Sequence, residues 1–367
     1  MLIKDIPNYR LYSQQIASTK FKSAKELVSW MGALQAQDFK MVKWAVGVRL
    51  KGITENTVDS LIDKGALLRT HLLRPTWHLV AADDIYWLLE LTGPGIKNRI
   101  KSRNKQLELT EDLLSKSTKL IENAFKETNQ VTREKLVTEF VRAKIPMDDN
   151  RAAHILLIAE LDGFLCSGAV KGSTTTYALL SERVKKPLSI SREEALSKLA
   201  MTYFSSRGPA TIQDYTNWSG LSMTEAKKGI NAVKSKITGL KEENLEYWFN
   251  KSSVKHAKEN NELYLLPSFD EYIIAYKDRS NILSSENHKT AISINGIFWP
   301  VIIQHGIAIG IWKRTIKKEK VFLETFFFKK PHILTLEMAR EAALAYGKFL
   351  GLEAEISNDS KYYSSKQ

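Results

Sequence analysis

The sequence predicts an α+β protein built of three tandem winged helix-turn-helix units followed by a small C-terminal β-barrel. Two helix signatures followed by a hairpin signature occur three times between about residue 8 and residue 260. Beyond Leu263 the texture changes to β-rich blocks, and a single helix pattern then closes the chain.

In the first unit, residues 1–104, Ser23 and Glu26 form a capping box, and Leu27, Val28, Met31 and Leu34 recur at helical spacing, so a helix ends near Leu34. A second helix, from about Glu55 to Lys64, carries Val58, Leu61 and Ile62 on one face and is closed by Gly65. "ALLRTHLLRPTWHLV", with a break at Pro75 and alternation at Leu68, Leu72 and Leu79, predicts the hairpin. In the second unit, residues 105–185, "TREKLVTEFVRAKI" and "DDNRAAHILLIAELDG" predict two helices, the latter closed by Gly163, and "FLCSGAVKGSTTTYALL" a strand, a Gly-rich turn and a strand. The third unit, residues 186–262, has a capping box at Ser191 and Glu194, two short helices joined through Ser219 and Gly220, another box at Ser222 and Glu225, and the strand "LEYWF". The repetition is one of architecture, since the units share little literal sequence. Linkers are expected near Asn104, Lys185 and Glu262.

The last part, residues 263–367, contains "LYLLPSFDEYIIAYKDRSNIL", "GIFWPVIIQHGIAIGIWKR" and "KVFLETFFF", with turn signals at Asp278, Asn295 and Gly306. A helix from about Leu336 to Leu350, with Thr335 at its N-cap and Gly351 at its C-terminal cap, covers the sheet. The polar tail "SNDSKYYSSKQ" is expected to be loose.

At 367 residues, with 43% hydrophobic and 26% charged residues, the chain has the composition of a soluble multidomain protein. No apolar run is long enough to span a bilayer, the start "MLIKDIPNYRLYSQQ" lacks an apolar signal region, and the lone Cys166 suits a reducing compartment. These features predict a cytoplasmic protein with no membrane partner. The formal charge of +13 suits a polyanionic partner, or equally a lysine-rich solvated surface. Seven histidines without a C-x-x-C, H-x-E or H-E-x-x-H pattern, and 18 glycines scattered at element ends, predict neither a metal site nor a cofactor. His71 and His78, seven apart, would fall on opposite faces of one strand.

Winged helices usually grip duplex DNA with a recognition helix and a wing. Lys227, Lys228, Lys234 and Lys236 on the third unit's second helix, and Arg69, His71 and Arg74 along the first hairpin, are the candidate DNA contacts; a solvated basic face is the alternative. Gln35 and Gln37 flank Ala36 where the first helix should end. Residues two apart diverge on a helix but share a face on an extended segment, so joint action requires the helix to have stopped. Taken alone, the pair reads as helix-end amides satisfying loose carbonyls.

The blocks "GALQAQD", "LLRTHLLRPTWHLV", "RGPATIQDYTNWSGL", "LLPSFDEYIIAYKDRS" and "NGIFWPVIIQHGIAIGIWKR", in that order over nearly the whole chain, resemble the bacterial winged-helix DNA glycosylases of the AlkZ and YcaQ type. The resemblance implies a C-shaped monomer associated with the nucleoid, with alkylated double-stranded DNA in its concave face. It also implies removal of N7-alkylguanine, including adducts in interstrand crosslinks. Its catalytic signature, Gln, a variable residue, then Gln or Asp, falls on Gln35-Ala36-Gln37, the Gln form being typical of AlkZ-like members. The small Ala36 departs from the larger apolar residue usual there. His305, in the last block, joins the DNA-contact candidates.

Glutamine cannot take a proton at neutral pH, so the pair is no strong general base. N7 alkylation already makes guanine a cationic leaving group, however, and C1′ develops oxocarbenium character as the bond breaks. Two fixed amides that hold a water and offer oxygen dipoles then suffice. Asp38 is a possible auxiliary, although a carboxylate starting a turn is more often a cap. No lysine adjoins the pair, which favours hydrolysis over Schiff-base chemistry. The competing reading is a non-enzymatic DNA-binding protein or regulator, against which stands the lack of a long heptad seam for dimerisation.

Overall fold

The computed structural model describes residues 5–171, 174–242, 244–254, 257, 259–356 and 361–362. After α1 (Ile6–Ser13), the first unit runs α2 (Ala24–Met31), β1 (Leu34–Gln35), α3 (Phe39–Gly47), α4 (Glu55–Asp63), β2 (Leu67–His71) and β3 (Trp77–Ala81), with strand order β1-β3-β2. A 22-residue helix, α5 (Ile85–Gln106), leads to the second unit. There α6 (Glu111–Ala124), β4 (Val131–Thr132), α7 (Arg133–Arg142), α8 (Arg151–Leu161), β5 (Leu165–Lys171) and β6 (Thr174–Leu179) repeat the order, with strands β4-β6-β5. After the short α9 (Leu180–Arg183) it recurs in α10 (Arg192–Ser206), α11 (Ile212–Ser219), α12 (Met223–Val233), β7 (Thr238–Glu242) and β8 (Leu245–Phe249). Here a single bridge between Ala210 and Trp248 stands where the first strand would be.

Each unit therefore opens with a helix before its helix pair. In the first this is the capped α2, but α3 then follows unannounced. Met41 to Gly47 are all buried, including Lys43, whose ammonium pairs with Glu55 and Asp59, so α3 shows no polar face to give its period away. Pro94 inside α5 breaks that helix's signature in the same way, and Asn104 lies within α5 rather than in a linker. Gly32, at φ 70°, stops α2 at Met31, three residues short of Leu34. A Cβ on Gly229 would lie 2.8 Å from the Leu196 carbonyl oxygen, so its absence lets α12 approach α10 closely. The capping boxes at Ser191 and Ser222 form as expected. The turn at Gly172 and most of the polar tail lie outside the described residues.

Beyond α13 (Lys251–Val254), β9 (Leu263–Leu266) is followed by α14 (Glu271–Ile274) and α15 (His288–Ala291), so most of the block expected to be β-rich is helix and loop. The sheet continues through β10 (Val301–Gln304), β11 (Ile307–Lys317) and β12 (Lys320–Phe327). It ends, after α16 (Ile333–Leu350), with β13 (Glu353–Ile356), while β14 (Lys361–Tyr362) also pairs with β12. The path β13-β12-β11-β10-β9 does not close among the described residues, and α16 touches both edge strands. The expected barrel is a curled half-barrel wrapped on one helix. His332, not Thr335, caps α16, and Gly351 at φ 69° ends it.

The cores cross the expected unit boundaries. One joins the first and third units to the C-terminal part, another joins α2, α3 and α4 to the half-barrel and α16, and only the second unit has a compact core of its own around Phe140 and Leu165. No helix among the described residues is long and apolar enough to cross a membrane. No cluster of three potential metal ligands occurs among them either.

Candidate active site

Gln35 ends β1, and Gln37 precedes α3, so the two glutamines stand on an extended segment beyond the end of α2. Gln35 is half-buried, Ala36 is 0% exposed and Gln37 is exposed. That alternation puts both amides on the outer face and Ala36 on the inner one. Ala36 is held on both sides: its N–H donates to the Trp77 carbonyl at 2.7 Å, and its carbonyl accepts from Arg69 Nε at 3.0 Å. Arg69 stacks over Trp77 at 4.1 Å and takes up the space behind the small side chain.

The Gln35 N–H donates to Glu271 Oε1 at 2.9 Å. Glu271 Oε2 accepts from Arg207 Nε at 2.9 Å, Arg207 Nη2 at 2.7 Å and Trp218 Nε1 at 2.8 Å. Arg207 in turn donates to the carbonyls of Met31 at 2.6 Å and Ala33 at 2.8 Å, the turn that releases the chain from α2 into β1. This buried pair braces the glutamine segment from behind with residues more than 170 positions away. A second buried pair, Arg49 with Asp270, fixes the neighbouring residue at 2.8 Å. Sequence reasoning missed all four charges, although Arg207, Trp218, Asp270 and Glu271 stand in two of the blocks that carry the family resemblance. The available signal was an acidic pair inside the apolar run "LLPSFDEYIIAY".

Of the candidate residues, Arg74 reaches the site: its Nη2 donates to Gln35 Oε1 at 3.1 Å, leaving one lone pair of that oxygen for another donor. Burial draws the Arg74 pKa down, with Glu271 opposing and Arg207 and Arg99 reinforcing the shift. His78, beside Gln35 in the sheet, is fully buried, and burial followed by the Arg74 charge pushes it well below the ordinary histidine range, so the ring is neutral. Its Nδ1 donates to the Thr76 carbonyl at 2.9 Å. Its Nε2, Arg74 Nε and Thr76 Oγ1 have no partner among the described residues. His71 and His78 sit on paired strands, not on one strand. His71 Nδ1 is held by the buried Glu160 at 2.8 Å.

Asp38 is the N-cap of α3, accepting from the N–H groups of Lys40 and Met41 at 3.1 Å each, while Ser268 Oγ donates to its other oxygen at 3.1 Å. Lys227, Lys228, Lys234 and Lys236 are exposed, and α12 turns Ala226, Gly229, Ile230 and Val233 inward against α10. His305 occupies the β10–β11 turn, whose Gly306 packs against Pro7 and accepts from the Tyr272 hydroxyl at 2.8 Å. A further element adjoins the site. The Ile292–Phe298 bridge closes a turn with fully exposed Ile294 near its tip, and Phe298 packs on Phe269, next to the Ser268 that holds Asp38.

The chain is 22% identical over 329 residues to the interstrand DNA cross-link repair glycosylase of Streptomyces sahachiroi, covering 83% of this chain and 86% of that protein. Its structure superposes on Streptomyces sahachiroi DNA glycosylase AlkZ with a TM-score of 0.79 at 19% identity, covering 96% of this chain and 99% of the other. The family described as DNA glycosylase AlkZ-like matches residues 28–345, and the chain therefore belongs to the AlkZ-like DNA glycosylases.

Proposed function

We propose that the chain is a monofunctional DNA glycosylase that hydrolyses the N-glycosidic bond of cationic N7-alkylguanine, acting as a monomer on duplex DNA and unhooking interstrand crosslinks. The observation that carries this reading is the pair Gln35 and Gln37, presented on one face of an extended segment and braced from behind by Glu271 and Arg207. Gln37, exposed and unengaged among the described residues, positions the attacking water. Gln35, oriented by Arg74, offers its remaining lone pair to the same water or to the developing cation at C1′. Asp38 acts by capping α3 and so fixes where Gln37 points.

The recurring helix, strand, helix pair and hairpin are read as three winged-helix units, with the first boundary moved past α5. DNA lies in their concave face. The lysines of α12 meet phosphate, and the turn bearing Ile294 presents an apolar tip to a groove. Crosslink unhooking draws support from the activity for which the Streptomyces sahachiroi relative is named.

The direct test is release of free base from duplex containing N7-methylguanine. Uracil and 8-oxoguanine, which are neutral and need activation to leave, are expected to stay in place, and the product abasic sites to remain unnicked until heated or treated with alkali. Efficient uracil excision contradicts the absence of leaving-group activation; spontaneous nicks contradict simple hydrolysis. Affinity for undamaged duplex should fall steeply with salt, since each neutralised phosphate releases about 0.9 counterion. Lys227→Ala with Lys228→Ala should flatten that slope by about 0.9 for each phosphate no longer neutralised, without altering sequence preference. An unchanged slope assigns both lysines to the solvated surface.

A further inference from the structure

A cavity of about 380 Å³ opens between β2–β3 of the first unit and α7, α8, β5 and β6 of the second, immediately behind the Gln35-Ala36-Gln37 segment. Its size lies in the range of small-ligand sites, roughly 300–1,000 Å³. Phe39 and Tyr177 supply aromatic surface, Trp77 is covered by Arg69 at 4.1 Å and His71 at 3.9 Å, and Arg69, His71 and His154 supply polar groups.

Arg133, Thr175 and Tyr177 also line the cavity, and Arg69, His71 and His154 contribute a donor fork and two ring nitrogens. Arg69 uses Nε on the Ala36 carbonyl, and among the described residues its two Nη groups meet no acceptor and no carboxylate at ion-pair distance. Burial lowers its pKa only to about 10, so it remains a cationic double donor at neutral pH. His71 commits Nδ1 to Glu160, and His154 commits Nδ1 to Asn104 Oδ1 at 2.9 Å, leaving Nε2 of each ring available. Burial, then Arg103 and His71, depress the His154 pKa, which keeps that ring neutral and its Nε2 an acceptor.

A flat ligand matching this set has a carbonyl acceptor adjoining N–H donors on one edge. Guanine has that edge, O6 beside N1–H and the N2 amino group, whereas adenine presents a donor where guanine presents O6. The sign of the charge selects further. Arg69 repels a base that carries the positive charge of N7 alkylation and accepts the same base once the glycosidic bond has broken and the base is neutral. We propose that this cavity is a binding site for a neutral guanine-type base, held beside Tyr177 with O6 on the Arg69 fork; the choice of a DNA purine rests on the glycosylase reading.

The test is titration of the full-length protein with free N7-methylguanine, followed by calorimetry, with adenine as comparator. N7-methylguanine should bind and adenine should bind roughly tenfold or more weakly, the discrimination expected of one good arginine contact. Arg69→Met and the cavity-filling Ala153→Phe should each weaken binding tenfold or more. Absence of binding, equal binding of the two purines, or unchanged binding in an Ala153→Phe protein of native melting temperature overturns the proposal. Tyr177→Leu replaces Ala153→Phe if that variant unfolds. Excision from alkylated duplex is measured in parallel. Base binding without excision sustains the cavity and refutes the glycosylase reading, while excision without base binding does the reverse.

Discussion

Replacing either Gln35 or Gln37 by alanine should slow single-turnover release of N7-methylguanine roughly a hundredfold or more, the effect of losing a positioned catalytic group. The double variant should be little slower than the worse single one, because groups that hold one water act as a unit. Binding to alkylated duplex should persist, since phosphate contacts elsewhere supply most of the affinity. Gln37→Asp should retain part of the activity by keeping an oxygen acceptor at the same place. Asp38→Asn should matter less than either glutamine change, because asparagine caps a helix about as well as aspartate. Native excision rates in both alanine variants would remove the catalytic assignment from the glutamines and move it to other residues, whereas no excision by the unaltered protein would bring forward a non-enzymatic DNA-binding protein.

The second large effect belongs to Glu271. Glu271→Ala leaves Arg207 charged and buried, removes the acceptor of Trp218 and frees the Gln35 N–H. Breaking one side of a buried ion pair costs about 3–5 kcal/mol, to be read as a lower urea midpoint. Glu271→Gln preserves the shape and one acceptor, so it should fold and bind DNA while releasing base at least about tenfold more slowly, in keeping with the loss of positioning at a catalytic group. A Glu271→Ala protein with the native midpoint and the native rate would show that the brace supports nothing.

Much of this arrangement was legible in the sequence where local chemistry is self-contained. The N-cap at Ser23, the capping boxes at Ser191 and Ser222, the stop at Gly351 and the hairpin around Pro75 depend on near neighbours, and they fall where propensity puts them. That the glutamines lie beyond the first helix was expected from its end near Leu34, but their extended course is set by pairing with β3. Elements set by distant contacts were not. The helix α3 is buried almost all round, so periodicity cannot mark it, and α5 carries a proline that local rules treat as a stop. Among the described residues the half-barrel does not close, and α16 touches both its edge strands, a tertiary arrangement with no local signature. The brace left only the acidic pair inside an apolar run as its trace, because Arg207 and Glu271 are ordinary surface residue types until the fold buries them together.

That brace also orders events during synthesis. Gln35 and Gln37 leave the ribosome early, but Arg207 arrives only in the third unit and Glu271 only with the half-barrel. A nascent chain thus carries both amides before the Arg207–Glu271 pair that braces their segment exists. The Gln35 N–H meets its acceptor only once Glu271 has been made, so the segment stays unbraced until the half-barrel begins to form.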